Sequence, residues 1–496
     1  MYGDTANFAS AAQLAISAGL TALVAVLTWL TVRRARHDNS SQDVFLAGKG
    51  LSWVFVAGSI TLTNLSTDQL VGMNGNQMLL LAWWEIAGFV GLMTLAFVFV
   101  PLYYRYNCTT VTELLERRYD GRSIRTLIAG IFLVGNLLIY LPASLYSGGL
   151  FLRSLFGEGL PLLAYAIPLA VVAAAYTIFG GLRAVAVMDT FSGIGVLGLA
   201  LLIVVLALAA VGWDLSGIPS ERLSMIGAAD SPIPFHTLFT GMAFIQVFYW
   251  STNQNITQKA MAAPSVREAQ KGVFAAAAVR ILIIPPIVVI PGVVAYKLFG
   301  DIGDAAYGRL VAEVLPGWLA GAFAAMVAAA VITTFSAVLN STVALYSVDF
   351  HERFIGPVAN HWRLGAVMSV AATVVAIALV PLYQNAESII NLLQQLNGLS
   401  SMPILSAFIV GLLFRGVAAR SAIAGVVTGI ALYGAYTFVP EFSAAVGLHY
   451  IDFMVVTLAV SVVAALAFNR LALGLRAQWI GLALFRKDGD LERAAP

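Results

Sequence analysis

Three ionisable side chains stand inside long apolar stretches of the sequence. Glu85 lies in WWEIAG, Asp189 in VMDTFSG and Arg280 in AAAAVRILIIP. A charge at the centre of a membrane costs roughly 3 kcal/mol on insertion scales unless it faces protein or water. An acid and a base at mid-depth, such as Glu85 and Arg280, can neutralise each other. The alternatives are a purely structural pair, or side chains that reach the membrane interface.

Uncharged polar residues cluster in TLTNLSTDQLVGMNGNQ, where Asn64 to Gln69 include five polar side chains. Successive residues point in all directions round a helix, so this is not one polar stripe. The pattern predicts a helix broken near 65–68 that lines a cavity within the protein. A break frees the last carbonyls of the preceding half-helix, which carry partial negative charge and attract cations. The alternative is a short helix whose polar end is simply an outer loop.

Two later segments also place polar groups within apolar stretches. IQVFYWSTNQN, at 245–255, is a second polar interruption. In AAAVITTFSAVLNST, Ala330 lies one helical turn before Thr333 and Thr334, so its carbonyl and their hydroxyls share one surface. Such oxygens suit a monovalent cation. Because membrane threonines often bond back to their own helix, the pattern favours a cation only opposite a broken helix.

The elements that must position these groups are membrane helices. Of the 496 residues, 60% are hydrophobic and 10% are charged, against about 25% charged in soluble proteins. Apolar windows of about 20 residues recur along the whole chain. The net charge of +2 gives no indication of nucleic-acid binding, and the single cysteine, Cys108, cannot close an internal disulfide.

Hydropathy and turn signals predict an all-α membrane protein with about thirteen transmembrane helices. They are placed at 11–32, 51–72, 78–103, 124–154, 160–179, 184–212, 236–257, 272–298, 309–349, 364–382, 386–414, 419–438 and 451–473. Arg33, Arg34 and Arg36 follow the first helix, which predicts an N-terminus outside and a C-terminus in the cytoplasm. Loops then assigned inside are rich in Lys and Arg, Lys259 among them. AQWIGLALF in the tail is predicted to be an interfacial helix.

Five segments separate the starts of the two polar patches. After an odd number of crossings the chain runs through the membrane in the opposite direction. We therefore predict that 51–212 and 236–414 are inverted five-helix repeats joined by an external loop at 213–235. Residues 1–50 would form an outer segment, an extra helix and a cytoplasmic linker. Residues 415–473 would add two helices before a cytoplasmic tail at 474–496. This organisation is typical of secondary transporters of the cell membrane.

Several motifs resemble the solute:sodium symporter family, in particular its sodium/glucose and sodium/galactose branch. They are NLSTDQLVGM, TVTELLERRYD, YTIFGGLRAVAVMDT, FYWSTNQN with PSVREAQKG, and TTFSAVLNSTVALYSVDF. The resemblance runs from about residue 50 to residue 415. It implies a leucine-transporter-like core of two inverted repeats and sodium as the coupling ion.

The resemblance also implies the roles of individual residues. The main sodium site would comprise the carbonyls of Leu62, Leu65 and Ala330 and the hydroxyls of Thr333 and Thr334. The implied substrate-binding residues are Asn64, Gln69, Glu85, Gln246, Tyr249, Trp250, Arg280 and Gln394. Tyr249 would close the site from the inside, and Met73, Trp84 and Ile390 would form the outer gate.

This chain departs from the family pattern at several of these positions. Where the family has asparagine, lysine, tyrosine and serine, this chain has Gln246, Arg280, Trp84 and Gly88 respectively. These differences leave the identity of the sugar open. Some relatives bind a second sodium near positions matching Asp189 and Ser336. Because the residue after Ser336 is alanine, we expect one sodium per cycle and leave the second site open.

Together these features predict a sodium-coupled symporter that imports a hexose-like sugar by alternating access, with no obligatory protein partner. One alternative is a carboxylated sugar or another organic anion as substrate. Another is a sugar sensor that binds without transporting. We expect no enzyme, because the sequence contains no metal-ligand cluster such as HExxH and no nucleophile beside a base.

Overall fold

The computed structural model describes residues 41–481 except 120, 157–158, 229 and 386–387, together with residues 19, 20, 23, 26 and 30. The predicted first transmembrane helix at 11–32 therefore lies largely outside the described residues, as does the tail beyond 481.

The described chain is predominantly helical. The first half comprises α1 Ser41–Leu46, α2 Trp53–Asn64, α3 Thr67–Gly75, α4 Leu79–Arg105, α5 Val111–Tyr119, α6 Arg122–Phe156, α7 Leu162–Ala210 and α8 Ser220–Leu223. The second half comprises α9 Gly241–Ser251, α10 Gln254–Met261, α11 Val266–Phe299, α12 Ala306–Val314, α13 Gly317–Phe354, α14 His361–Gln384, α15 Ile389–Leu413, α16 Ala419–Phe438, α17 Pro440–Val446 and α18 Tyr450–Leu471. Short 3₁₀ turns occupy Ala47–Lys49, Phe235–Phe239 and Gly303–Ala305.

The predicted break in the second transmembrane segment is confirmed. Leu65 (φ −76°, ψ 61°) and Ser66 (φ −85°, ψ 172°) leave the helical region and separate α2 from α3. A corresponding break at Thr252 and Asn253 separates α9 from α10. The Asn253 side chain caps α10 by accepting a hydrogen bond from the backbone N–H of Asn255 (3.0 Å).

Nine helices of the described residues are long and apolar enough to cross a membrane. The two broken helices are not among them, because each half is shorter than a full crossing. The predicted segments 160–179 and 184–212 both fall within α7, where Gly181 (φ 54°, ψ −159°) interrupts the helix. The predicted segment 309–349 joins what are two helices, α12 and α13. The total of about thirteen and the inverted repeats stay predictions.

Each broken helix packs against a long helix from the other half of the chain. The half-helix α2 lies along α11, and α9 lies along α4. The α9–α4 contact is close, since a Cβ on Gly91 would stand 2.1 Å from the Gln246 carbonyl oxygen. The largely buried α13 packs against both α2 and α7. This arrangement brings the two breaks and α13 to the centre of the molecule.

The predicted interfacial helix in the tail is wrong for the part that is described. Gln478–Trp479 forms a short strand, β2, which pairs antiparallel with β1 at Phe414–Arg415. Trp479 packs edge-on against Phe414, with ring centroids 5.0 Å apart. The strand after α15 offers the tail backbone hydrogen bonds that an isolated short helix would lack.

Candidate solute and sodium site

A central cavity lies between the two broken helices, α6, α13 and α15. Of the predicted site residues, Asn64, Gln69, Trp84, Gln246, Tyr249, Trp250, Thr334, Ile390 and Gln394 line this cavity. Residues that sequence reasoning did not assign to the site also line it, namely Thr63, Ser66, Asp68, Tyr140, Ala143, Ser144, Ile245, Asn255, Val338, Leu393 and Asn397.

Glu85 and Arg280 form a buried ion pair behind the cavity wall. Their side chains are 0% and 1% exposed, and an Arg280 Nη2–Glu85 Oε2 contact joins them. Gln69 Nε2 donates to Glu85 Oε1 (2.9 Å), and Arg280 Nη1 donates to the Thr61 carbonyl of α2 (3.4 Å). The charges cancel within the pair, so the pair itself brings no net charge to the cavity wall.

Asn64, the last residue of α2, connects this pair to the predicted inner gate. With its amide oriented to match its neighbours, its nitrogen donates to the Tyr249 hydroxyl (2.7 Å) and its oxygen accepts from Gln69 Nε2 (2.9 Å) and from Arg280. The hydrogen bond to Tyr249 joins the break in the first helix to α9. A movement of either broken helix therefore changes the hydrogen bonds at the solute position.

Trp250 positions the cation and the neighbouring amide. The guanidinium of Arg280 lies 4.7 Å from the centroid of its ring, and its indole N–H donates to Gln246 Oε1 (2.8 Å). Gln246 Nε2 in turn donates to the Trp84 carbonyl (2.8 Å). A Cβ on Gly88 would lie 3.1 Å from the indole nitrogen, so Trp250 occupies the space beside the position where the family pattern has serine.

The residues of the predicted sodium site lie on α2, its break and α13. Among the described residues, no backbone N–H is bonded to the Leu62 or Leu65 carbonyl. Thr333 Oγ1 donates to the Ala330 carbonyl (3.1 Å), which leaves its lone pairs free. The buried Thr334 Oγ1 has no hydrogen-bond partner in the described chain. These are oxygen ligands of the kind that a sodium ion uses.

Asp189 and Ser336 both bond to protein groups, although Asp189 Oδ1 has no hydrogen-bond partner among the described residues. Asp189 Oδ2 accepts from Ser59 Oγ (2.6 Å), Thr63 Oγ1 (3.3 Å) and Lys259 Nζ (3.4 Å). Ser336 Oγ donates to the Ala173 carbonyl (2.9 Å). The assignment of Lys259 to a cytoplasmic loop is wrong, because its side chain is 0% exposed and pairs with Asp189.

The three residues predicted to form the outer gate lie on α3, α4 and α15. Met73, Trp84 and Ile390 are all buried, although Met73 does not line the cavity. Gly72 of α3 lies so close to α15 that a Cβ there would stand 2.9 Å from the Ile390 side chain. Asp304, in the turn before α12, caps α15 by accepting from the Ile389 N–H (2.9 Å). Burial raises the pKa of Asp304 to about 7, although this hydrogen bond opposes the rise.

Two residues missed on the sequence, Tyr140 and Asn397, form a second polar wall together with Gln394. Tyr140 donates to Asn397 Oδ1, and Asn397 Nδ2 donates to Gln394 Oε1 (3.4 Å). Asn136 and Tyr140 belong to a π-helical turn, Asn136–Tyr140, within α6. Such turns are frequent at functional sites, but hydropathy alone does not reveal them.

The sequence matches the model of the sodium:solute symporter family over residues 44–429. It is 34% identical over 482 residues to the uncharacterized symporter YidK of Escherichia coli, covering 92% of this chain and 83% of that protein. It is 28% identical over 489 residues to the sodium/glucose cotransporter of Vibrio parahaemolyticus, covering 91% and 88% respectively.

The fold is similar to that of a Na⁺-coupled sialic acid symporter in a substrate-bound outward-open state. The TM-score is 0.80 at 18% sequence identity, covering 95% of this chain and 99% of that one. At this identity the match bears on the fold alone. It confirms the predicted leucine-transporter-like class.

Proposed function

The chain belongs to the sodium:solute symporter family and is therefore a sodium-coupled membrane transporter, and we propose that its solute is a neutral, hexose-like sugar. Sodium binds between the broken helix and α13, and transport into the cell proceeds by alternating access. The N-terminus lies outside and the C-terminus in the cytoplasm.

The internal neutralisation of Arg280 supports a neutral solute. A carboxylated sugar needs an unpaired cation in its site, and Arg280 is already paired with Glu85 and stacked on Trp250. The groups that remain are amides, hydroxyls and aromatic faces, which suit a ring with many hydroxyls, together with the carboxyl of Asp68, which offers no cation to an anionic solute. The name of the Vibrio relative, a sodium/glucose cotransporter, agrees with this choice.

The proposed sodium site couples the ion to the solute. Its carbonyl ligands Leu62 and Leu65 flank Asn64, whose amide bonds Tyr249 and Gln69. An ion that holds the break in shape also holds these solute-facing side chains. Reciprocal linkage then requires the sugar to tighten sodium binding.

The test is uptake by purified protein in liposomes. Labelled D-glucose, D-galactose and myo-inositol are offered under an inward sodium gradient and under a matched potassium gradient, with D-glucuronate as competitor. We expect at least one neutral polyol to accumulate with sodium only and glucuronate to compete poorly. Equal uptake with potassium would contradict sodium coupling, and strong competition by glucuronate would favour the organic-anion alternative. Saturable binding without accumulation would identify a sensor.

A further inference from the structure

Asn255 contributes an unused acceptor to the cavity. It is the second residue of α10, it lines the cavity, and it is 5% exposed. Its Oδ1 has no hydrogen-bond partner among the described residues. A buried amide oxygen without a partner is costly, so the cavity must supply a donor from water or from the solute.

The surrounding contacts hold this side chain in one orientation. Its backbone N–H is bound by the Asn253 cap (3.0 Å), which places the residue at the start of α10. Its Nδ2 donates to Oδ1 of Asn136 (3.4 Å), and Asn136 is itself 2% exposed. Because the nitrogen is engaged by α6, the oxygen is the end of the amide that remains available.

The chemistry of this position excludes an anionic group. An amide oxygen accepts a hydrogen bond from a hydroxyl and repels a carboxylate. The nearby lining adds Asp68, whose carboxylate accepts from Ser66 Oγ, and the neutral pair Tyr140 and Asn397. A solute hydroxyl can supply the donor that Asn255 Oδ1 lacks, whereas a carboxylate cannot.

We propose that Asn255 is a specificity-determining residue that accepts a hydrogen bond from one hydroxyl of the transported solute and so favours neutral polyols over carboxylated sugars. This inference rests on the proposed function. It adds a solute contact on α10 that the family resemblance did not assign.

The test compares the best-bound of D-glucose, D-galactose and myo-inositol with its monodeoxy analogues as competitors of uptake in liposomes. Wild-type protein should bind one analogue about tenfold more weakly than the parent, which is the effect of one lost hydrogen bond. In Asn255→Ala that ratio should fall to within about twofold, while the ratios for the other analogues stay unchanged. Thr257→Ala, the matched control on the same helix, should keep the wild-type ratio. Its hydroxyl donates to the Asn253 carbonyl (2.9 Å) and does not line the cavity, so its loss leaves Asn255 and the contact with Asn136 in place.

Unchanged ratios for every analogue in Asn255→Ala would show that Oδ1 meets only water, and would overturn the inference. Should that variant fold poorly, Asn255→Asp retains an acceptor and adds charge. It should keep the wild-type ratio of affinities between the monodeoxy analogue and the parent sugar. It should also weaken the binding of glucuronate relative to the parent sugar by about tenfold, and an unchanged relative affinity for glucuronate would overturn the inference as well. A wild-type protein without sodium-dependent sugar uptake would instead contradict the proposed function.

Discussion

At the scale of single residues, the centre of this protein contains two buried ion pairs with different surroundings. Glu85 and Arg280 adjoin the cavity through Gln69 and Asn64. Asp189 and Lys259 do not line it and reach it through Thr63, and Lys259 Nζ also donates to the Ser59 carbonyl of α2 (3.2 Å). The first pair therefore lies beside the proposed solute site, whereas the second joins α2, α7 and α10.

Thr333→Ala should raise the sodium concentration for half-maximal uptake about tenfold, because one uncharged oxygen ligand is lost. Uptake at saturating sodium should remain close to wild type. The matched control is Thr342→Ala in the same helix, where the buried hydroxyl donates to the Val338 carbonyl (2.7 Å). The measurement is initial uptake against sodium concentration, and equal shifts in both variants would remove Thr333 from the ion site.

Lys259→Met should destabilise the protein strongly, since removing one partner of a buried pair leaves an uncompensated charge at a cost of about 3–5 kcal/mol. The double variant Lys259→Met with Asp189→Asn should recover much of the loss. Thermal unfolding of the purified protein measures both. A single variant as stable as wild type would mean that Asp189 has another cation partner.

The pairing of Glu85 with Arg280 could be predicted because both interrupt strongly apolar helices. The role of Lys259 could not be predicted from the sequence. It lies just after a polar patch, where the positive-inside rule assigns it to a loop, and its partner Asp189 lies 70 residues away on another helix. The cavity contact of Asn255 could not be predicted for a similar reason, since an asparagine after a helix break is usually interpreted as a helix cap.

At the scale of elements, the broken helices were the most predictable feature. Consecutive polar residues cannot share one helix face, so 61–69 had to be interrupted. The pairing of β1 with β2 could not be predicted, because each two-residue strand forms only when the other lies beside it in the folded chain. The kink at Gly181 and the π-helical turns likewise leave no periodicity signal.

The burial of Asp304 beside α15 predicts a pH dependence of the stability of the folded protein. The pKa of this carboxyl is about 7 in the folded protein against an ordinary value of 3.8. The folded state thus holds the proton more tightly than the unfolded chain, so this stabilisation is complete below about pH 4 and is lost as the pH rises through about 7. The apparent melting temperature should fall between pH 5 and pH 8.

Asp304→Asn should reduce the fall of the apparent melting temperature between pH 5 and pH 8, because the amide cannot titrate. The matched control is Asp301→Asn, which changes a nearby exposed acid that pairs with Arg222 (2.7 Å). The control should keep the wild-type slope. A profile in Asp304→Asn that parallels wild type would show that this carboxyl does not titrate in the range.

At the scale of the whole molecule, both sides of the cavity are held by contacts that must exchange during transport. On the predicted outer side, Gly72 packs on Ile390 and Asp304 caps α15. On the other side, Lys259 and Asp189 hold α2 against α7 and α10. The proposed sodium ligands are shared between α2 with its break and α13, so separation of these helices on inward opening would release the ion.

The expected stoichiometry of one sodium per cycle sets a limit on how far the proposed sugar can be concentrated. One charge crossing about 100 mV supplies about 2.3 kcal/mol, and a tenfold sodium gradient adds about 1.4 kcal/mol. Their sum of about 3.7 kcal/mol supports an accumulation of a few hundredfold. Steady-state accumulation in liposomes under these gradients should not exceed that limit. A ratio far above it would require a second coupled ion.

The central claim is that sodium and sugar move together, and the reverse flux tests it most directly. Liposomes containing the protein are given an inward gradient of the transported sugar with equal labelled sodium on both sides and the membrane potential clamped at zero. We expect the sugar gradient to drive labelled sodium inward against no gradient of its own, with the flux sharply reduced at the same sodium concentration in Thr333→Ala. Sugar entry without any accompanying sodium would contradict the coupling.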